Sequence, residues 1–301
     1  MKTIAHLSDL HVGRADPAVA AGLLSELDAL RPDVVAVSGD LTQRARTRQF
    51  RAARAFLDRL PRPLLTVPGN HDIPLFDVVR RFAAPLKRYR RWIGEPCPCL
   101  VVDDLAVLGI NTARSNTWKD GRVSFEQIDL IRTELGPLPA RVFKVVMAHH
   151  PFLPPPDDPS PPLVGRSTEA LHAADDAGVD LLLAGHLHVG YAGEVRARHV
   201  SARRSMLVSQ AGTAISNRHR GEPNAYNVLR VETRRVEFEL RVWNGREFEA
   251  RSRRTWTREG DEWLGPGEPT AASPAPPGAP APAPAPAPGA PPGSARTPGR
   301  G

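Results

Sequence analysis

Short apolar runs that alternate with helical patterns are the feature that most constrains the fold of this 301-residue chain. Each run is rich in β-branched residues and nearly continuous, which is typical of strands buried on both faces. A strand of this kind needs a layer of helices or a second sheet on each side. The predicted strands cover residues 3–7, 34–38, 64–67, 105–110, 143–148 and 181–184.

Helical signals fill the intervals between these strands. Asp16 supplies an N-cap and Pro17 a proline at the first helical position. Ser124, with Gln127 three residues later, forms a capping box. Caps and apolar stripes of helical period predict helices over residues 17–30, 47–60 and 124–135.

Beyond Ser205 the pattern changes to strands with no helix between them. Three strands are predicted there, at residues 206–210, 227–232 and 236–243. Two stacked mixed β-sheets flanked by helices accommodate both the α/β first part and the strand-rich second part. We therefore predict an α/β fold with one domain over residues 1–264.

The last segment, residues 265–301, has a different composition. Thirteen of its 37 residues are proline, and most of the others are alanine or glycine. Such a segment has few large apolar side chains to bury, so it cannot offset its ordering entropy. We predict a disordered tail whose alanine-proline runs either bind a partner domain or form a solvated extension.

Charge and cysteine usage suggest partners and a compartment. The formal net charge is +7, and a basic surface attracts phosphate-bearing partners, although the arginines are scattered as on an ordinary solvated surface. Cys97 and Cys99 provide no disulfide framework. We expect no secretory signal at the N-terminus, and no apolar run is long enough to span a membrane. We expect a cytoplasmic protein with no membrane partner.

Metal-ligating side chains follow five of the predicted strands. In open α/β sheets the carboxyl ends of the strands face the crevice where ligands bind. His186 and His188 alternate along an extended segment, so they can share one ion. The five clusters are Asp9-Leu10-His11, Gly39-Asp40, Gly69-Asn70-His71-Asp72, His149-His150-Pro151 and Gly185-His186-Leu187-His188.

The number of donors predicts two ions. Seven donors exceed the four ligands of one zinc-like ion, and they suit two divalent cations about 3.5–4 Å apart. Because two cations repel, an anionic ligand must lie between them. Asp40 is the candidate for that bridge because, unlike Asp9, it has no adjacent histidine. The mixed donors fit manganese, iron or zinc.

The order of the clusters also resembles a known family. The motifs SDLH, GD, GNHD, HHP and GHLH resemble those of the calcineurin-like metallophosphoesterases, over residues 1–244. The resemblance implies a four-layer α/β/β/α fold and a hydrolase that cleaves a phosphoric ester with a hydroxide bridging two metals. Within the family the chain looks most like the bacterial cyclic nucleotide phosphodiesterases and glycerophosphodiesterases, because of HHP and the segment 211–224.

The resemblance also implies a role for individual residues. The first ion would be bound by Asp9, His11, Asp40 and His188, and the second by Asp40, Asn70, His149 and His186. His71 would assist the leaving group, and Asp72 would orient His71. The HHP motif leaves His149 and His150 as alternatives, and the family pattern favours His149.

Substrate contacts are predicted at two further places. Arg218 and Arg220, in the segment 211–224, are expected to border the pocket, although an ordinary polar loop is the alternative. Asn111, at a strand end, either lines the pocket or only terminates the strand.

The expected substrate is a small phosphodiester, such as a cyclic nucleotide or a glycerophosphodiester. A nuclease acting on DNA or RNA is an alternative, but it is not favoured because the chain has little room for an added capping domain. A non-catalytic scaffold is disfavoured because all the metal ligands are present. The resemblance also allows a homodimer.

Overall fold

The computed structural model describes residues 1–117, 120–154, 163–194, 204–218 and 221–265. In these ranges the chain forms two mixed β-sheets with helices on their outer faces, so the predicted α/β fold class is confirmed. The predicted tail lies outside the described residues from position 266 onward, and its boundary stays a prediction.

The described residues form thirteen strands and six α-helices. The strands are β1 (Lys2–Leu7), β2 (Val34–Val37), β3 (Leu64–Thr66), β4 (Cys99–Val102), β5 (Leu105–Gly109), β6 (Phe143–Met147), β7 (Leu181–Ala184), β8 (Tyr191–Glu194), β9 (Leu207–Gln210), β10 (Ala225–Glu232), β11 (Arg235–Trp243), β12 (Phe248–Glu259) and β13 (Glu262–Leu264). The helices are α1 (Pro17–Leu30), α2 (Thr47–Leu57), α3 (Val78–Ala83), α4 (Lys87–Trp92), α5 (Phe125–Leu135) and α6 (Ser167–Asp176).

Each sheet contains both parallel and antiparallel strands. The first sheet has the strand order β13-β12-β11-β10-β1-β2-β3, in which β1, β2 and β3 are parallel and β10 to β13 form an antiparallel meander. The second sheet has the order β4-β5-β6-β7-β9-β8, with β5, β6, β7 and β9 parallel. The parallel strands place the loops at their carboxyl ends along one edge of each sheet.

Three apolar clusters separate these layers. The two-residue period of a strand sends alternate side chains to opposite faces. Ile4 and Val145 therefore enter the cluster between the sheets. Ala5 packs with α1 and α2 on the outside of the first sheet, and Val146 packs with α5 and α6 on the outside of the second. The nearly continuous apolar runs are explained by this burial on both faces.

The predicted helices and strands agree with the structure where a capping residue or a continuous apolar run marks the element. Asp16 caps α1, and Ser124 with Gln127 forms the capping box of α5. The second predicted helix ends at Leu57 instead of residue 60, because Pro61 disfavours helical backbone at the residue before it. The strands β4, β8, β12 and β13 were not predicted; β4 and β12 show many exposed side chains and no continuous apolar run.

Membrane-spanning length is not reached by any helix among the described residues. The longest of these helices, α1, has 14 residues, whereas a span needs about 20.

His6 forms a polar link between the two sheets. It lies on β1 with its side chain fully buried, and its ring nitrogens contact the Ser209 hydroxyl at 3.1 Å and the Ser38 hydroxyl at 3.0 Å. Burial lowers the pKa of His6 to about 3, and the nearby charge of Asp9 opposes this only in part. The imidazole is therefore neutral in the folded protein at neutral pH.

Replacing His6 with asparagine is expected to flatten the dependence of stability on pH. Below pH 6.5 the unfolded chain binds a proton at His6 and the folded chain does not, so the free energy of unfolding falls as the pH is lowered from 6.5 towards 3. One proton contributes a slope of about 1.4 kcal/mol per pH unit. Urea unfolding at several pH values measures the slope.

The exposed His172→Asn variant is the matched control for this experiment. An equal slope for the native chain and His6→Asn would show that His6 is protonated in the folded state.

Candidate metal centre

The five polar clusters meet at the carboxyl ends of β1, β2, β3, β6 and β7. The first three strands belong to one sheet and the last two to the other. The loops are tied together by their backbones: Asp9 N–H donates to the Gly39 carbonyl at 3.1 Å, and His11 N–H donates to the Asp40 carbonyl at 2.8 Å. Gly185 N–H donates to the His149 carbonyl at 2.9 Å within the second sheet.

Left-handed backbone is concentrated at these clusters. Among the described residues nine non-glycine positions have positive φ, and five of them are predicted metal ligands. Such conformations are unfavourable for residues with a Cβ and persist where the surrounding structure imposes them. These five ligands are Asp9 (φ 54°), His11 (41°), Asp40 (52°), His186 (74°) and His188 (64°).

Close approach explains two of the glycines in the motifs. A Cβ on Gly69 would overlap the carboxylate and the backbone nitrogen of Asp40, and a Cβ on Gly39 would lie 2.7 Å from Nδ1 of His149. Both positions require a residue without a side chain, because the neighbouring atoms belong to the polar cluster itself.

The first group of donors surrounds Asp9. Its Oδ1 lies 3.4 Å from Nε2 of His11 and 3.7 Å from Nε2 of His188. Oδ2 of Asp40 lies 3.6 Å from the same His11 nitrogen. The Ser8 hydroxyl donates to the other oxygen of Asp9 at 2.7 Å, which leaves Oδ1 directed at the imidazoles.

The second group of donors surrounds His149. Its Nε2 lies 3.5 Å from Oδ1 of Asp40, 3.2 Å from Oδ1 of Asn70 and 3.3 Å from Nδ1 of His186. Its Nδ1 donates to the Ser38 carbonyl at 2.8 Å, so Nε2 carries the free lone pair. Asp40 contacts both groups, as the bridging position requires.

His150 lies beside the second group but points its Nδ1 elsewhere. That nitrogen contacts the Thr112 hydroxyl at 2.7 Å. The geometry therefore supports His149, and not His150, as the donor that faces Asp40 and Asn70.

The donor set fits divalent cations. Asp9 Oδ1 and His11 Nε2 are fully buried and have no hydrogen-bond partner among the described residues, and buried polar atoms of this kind normally require one. Burial opposes the charged form of Asp9 and Asp40, but the imidazoles around them lower the pKa of both carboxyls, that of Asp9 strongly. Burial lowers the pKa of His186 to about 3. Carboxylates and neutral imidazoles are the forms that bind metals.

The structure corrects the predicted role of Asp72. His71 Nδ1 donates to the Gln43 carbonyl at 2.8 Å and not to Asp72. The Asp72 carboxylate instead accepts N–H groups from Gly69, Leu41 and Thr42 at 2.8–3.0 Å. Burial, reinforced by the charge of Asp40, raises the pKa of Asp72 to about 6. The prediction that Asp72 orients His71 is wrong, because Asp72 joins the loops after β2 and β3.

A cleft of about 240 Å³ opens beside these donors. Arg218 reaches into it, and its guanidinium donates to Nε2 of His71 at 2.6 Å. Burial lowers the pKa of His71, and the positive charge of Arg218 adds to this effect. The lining residues are Gln43, Arg44, Asn70, His71, Ile73, Leu75 and Arg218.

Two further substrate predictions concern Asn111 and Arg220. The side chain of Asn111 accepts the Ala113 N–H at 3.0 Å and is not among the residues that line this cleft, so a substrate contact of Asn111 stays a prediction. Arg220 lies outside the described residues.

Sequence reasoning missed several residues of the site. Arg44, Ile73 and Leu75 line the cleft, and Thr213 contacts Nδ1 of His188 at 2.5 Å. Ile73 and Leu75 follow directly after the GNHD motif, and that proximity was the one signal available. Thr213 lies 25 residues from His188, and only the pairing of strands brings the two together.

Comparison with known proteins identifies the family. A family model for calcineurin-like phosphoesterases matches residues 2–190, a range that contains all seven predicted metal ligands. The chain belongs to the calcineurin-like phosphoesterase family. Phosphoesterases of this family use divalent metals, in agreement with the candidate ligand clusters.

Curated relatives of this calcineurin-like phosphoesterase confirm the predicted branch. The chain is 31% identical over 155 residues to the glycerophosphodiester phosphodiesterase GpdQ of Enterobacter lignolyticus, which covers 48% of this chain and 50% of that protein. It is 26% identical over 161 residues to a probable cyclic nucleotide phosphodiesterase of a Synechococcus species, covering 50% and 58%. The matches span about half the length of each of these relatives.

Solved structures share the fold of this calcineurin-like phosphoesterase. The structure of PhoD has a TM-score of 0.63 at 12% identity and covers 89% of this chain and 72% of that chain. A dimetal phosphatase from Danio rerio has a TM-score of 0.58 at 13% identity, covering 83% and 98%. At these identities the likeness concerns the fold alone.

Replacing Thr213 with valine is expected to weaken metal binding. The hydroxyl of Thr213 orients the His188 ring through Nδ1, and the loss of such a partner lowers metal affinity about 10- to 100-fold. Calorimetric titration of metal-depleted protein with manganese measures the affinity. The exposed Thr133→Val variant, on α5, is the control. Equal manganese affinity in the native protein and in Thr213→Val would show that Thr213 does not orient His188 for metal binding.

Proposed function

We propose that this chain is a metal-dependent phosphodiesterase that binds two divalent cations. The observation that supports the proposal is the sharing of Asp40 between two adjacent groups of buried donors. Asp9, His11, Asp40 and His188 would bind one ion. Asp40, Asn70, His149 and His186 would bind the other. A single ion would leave about half of these donors without a metal ion to bind.

The cations would supply two kinds of chemistry when bound: they lower the pKa of a coordinated water and polarise a phosphoryl oxygen. The contribution of the protein is to fix the donors before substrate arrives. The Ser38 carbonyl fixes His149 and the Thr213 hydroxyl fixes His188, each through Nδ1. Because Asp9, Asp40 and His149 are buried, bulk water has little access to their side chains.

Arg218 and His71 would act on the phosphodiester itself. In the structure Nδ1 of His71 donates to the Gln43 carbonyl and Nε2 accepts from Arg218, an arrangement that requires a neutral imidazole. A phosphoryl oxygen offers the guanidinium a charged acceptor, which forms a stronger hydrogen bond than a neutral imidazole. We propose that substrate draws Arg218 away from His71, so that Nε2 is free to take a proton from solvent and donate it to the leaving-group oxygen.

The substrate class is proposed from the cleft and the relatives. The lining of the cleft includes two basic residues, Arg44 and Arg218, and two apolar residues, Ile73 and Leu75. A volume of about 240 Å³ accommodates a phosphate and a small organic group. A glycerophosphodiester or a cyclic nucleotide, the substrates named for the two relatives, would have these features.

Replacing Asn70 with alanine is expected to lower the rate of phosphodiester hydrolysis strongly. The change removes a donor at 3.2 Å from His149 Nε2, and the loss of one such group costs on the order of 100-fold in turnover. Manganese-supplied protein is assayed with bis(p-nitrophenyl) phosphate and with p-nitrophenyl phosphate. We expect the native chain to hydrolyse the diester faster than the monoester.

The exposed Asn244→Ala variant controls for the loss of an amide side chain. The metal content of each protein is measured in parallel, with two ions per chain expected for the native protein. No turnover of either ester by folded, metal-loaded protein would overturn the proposed function.

Replacing Arg218 with alanine is expected to lower kcat/KM for the diester by about 10- to 100-fold, the size of one charge-assisted hydrogen bond. The metal content should not change, because the guanidinium of Arg218 donates to His71, which is not a predicted metal ligand. The exposed Arg59→Ala variant is the control. Unchanged kinetic constants in Arg218→Ala would exclude a substrate contact.

A further inference from the structure

The short helix α3 has its apolar side chains in solvent. Phe76, just before the helix, is 75% exposed, Val79 is 80% exposed and Phe82 is 62% exposed. These three residues follow one another at a spacing of three, which places them along one side of a helical turn. We call Phe76, Val79 and Phe82 the apolar face. Exposed large side chains in such a group are characteristic of interaction sites.

The orientation of this helix is fixed from the inside by a charged residue. Arg81 is only 4% exposed. Its guanidinium donates to three backbone carbonyls, those of Ser115 at 2.7 Å, Thr117 at 2.9 Å and Pro74 at 3.1 Å. The Ser115 hydroxyl donates in return to the Arg81 carbonyl at 2.6 Å. Because the polar contacts anchor α3, the apolar face is held outward.

The apolar face has a strongly basic neighbourhood. The sequence from Ile73 to Gly94 contains six arginine and lysine residues and one acidic residue, Asp77. Arg80, between two residues of the apolar face, also borders a cleft of about 300 Å³. We call this the basic cleft, and its lining residues are Thr47, Arg80, Lys87, Arg88, Arg91 and Trp92.

The apolar face also begins at the rim of the candidate active-site cleft. Ile73 and Leu75 line that cleft and directly precede Phe76. Arg44, another lining residue, places its guanidinium 5.4 Å from the centre of the Phe76 ring. A surface that covered the apolar face would therefore lie next to the opening of the cleft.

We propose that the apolar face and the basic cleft together dock this protein on an anionic phospholipid membrane. Peripheral proteins bind such surfaces by combining apolar side chains that enter the acyl boundary with lysine and arginine that meet anionic headgroups. The basic cleft supplies the cations for lipid phosphates. The sequence-based expectation of no membrane partner rested on the lack of a run long enough to span a membrane. Docking at the surface needs no such segment, so that expectation does not bear on it.

Charge favours a lipid surface over two other occupants. A second copy of the chain, related by a two-fold axis at this face, would place the same basic residues opposite one another. A nucleic acid would satisfy the cations and could stack on the rings of Phe76 and Phe82, but Val79, the most exposed of the three, has no face for stacking. A membrane matches both the apolar and the basic components.

Vesicle co-sedimentation of the full chain tests this docking. Vesicles of phosphatidylcholine are prepared with and without phosphatidylglycerol. We expect the native chain to sediment with the anionic vesicles, to bind the neutral vesicles less, and to be released as salt is raised. The triple variant Phe76→Ser, Val79→Ser, Phe82→Ser should bind the anionic vesicles at least about tenfold more weakly. The double variant Lys87→Glu, Arg91→Glu should also lose binding.

The control variant removes exposed apolar side chains elsewhere, with Val101→Ser and Phe125→Ser, which are 50% and 59% exposed. It should bind like the native chain. All variants should keep the native melting temperature, because the substituted side chains are in solvent. Diester hydrolysis is not used as a readout, so the result is independent of the proposed function.

Four outcomes would overturn the proposal. The first is no sedimentation of the native chain with either kind of vesicle. The second is equal binding by the native chain and the triple variant. The third is a native dimer that the triple variant converts to a monomer, with no vesicle binding, which would assign the apolar face to a second copy. Binding of single-stranded nucleic acid in place of vesicles would assign the basic cleft to that partner and would equally overturn docking on lipid.

Discussion

The buried carboxylate of Asp40 is the group on which the rest of the site depends. An ionised carboxylate removed from water needs donors or cations on every side. Asp40 accepts the backbone N–H of His71 at 2.8 Å and lies within 3.6 Å of ring nitrogens of His11 and His149. His149 follows a strand of the second sheet, and the other residues follow strands of the first. The carboxylate of Asp40 therefore interacts with polar groups from both sheets.

The packing of the two sheets stabilises the fold enough to offset the cost of this polar site. Five predicted ligands adopt left-handed backbone, and each such residue costs on the order of 1–3 kcal/mol. The loops cannot relax, because their ends are hydrogen-bonded to neighbouring strand ends and because Asp72 joins two of them. Most of the packing between the sheets is apolar, and buried polar contacts join the sheets at a few points, such as those of His6 and Asn227 with Ser209. Stability supplied by the sheets therefore maintains strained geometry at their shared edge.

The candidate site and the apolar face of α3 are adjacent parts of one surface. Residues 73–76 run without a break from the lining of the cleft to Phe76. In the cleft, Arg44 and Arg218 present positive charge beside apolar lining residues. Outside it, Arg80 and its basic neighbours present positive charge beside exposed rings. The proposed substrate and the proposed lipid surface are both phosphate esters, and the same pairing of cationic and apolar groups would suit each of them.

The sequence by itself determined the layered α/β fold and indicated the set of candidate donors. Both follow from local rules, since buried strands have continuous apolar runs and ligands follow their carboxyl ends. It could not determine that Asp72 binds backbone amides instead of His71, or that Asn111 turns into its own loop. Those outcomes depend on which hydrogen-bond partner lies nearer in space. Only the tertiary structure places Arg218 in contact with His71, 147 residues away, and exposes the apolar side of α3 to solvent. Contacts between distant segments produce no periodic pattern in the sequence, so the sequence does not predict them.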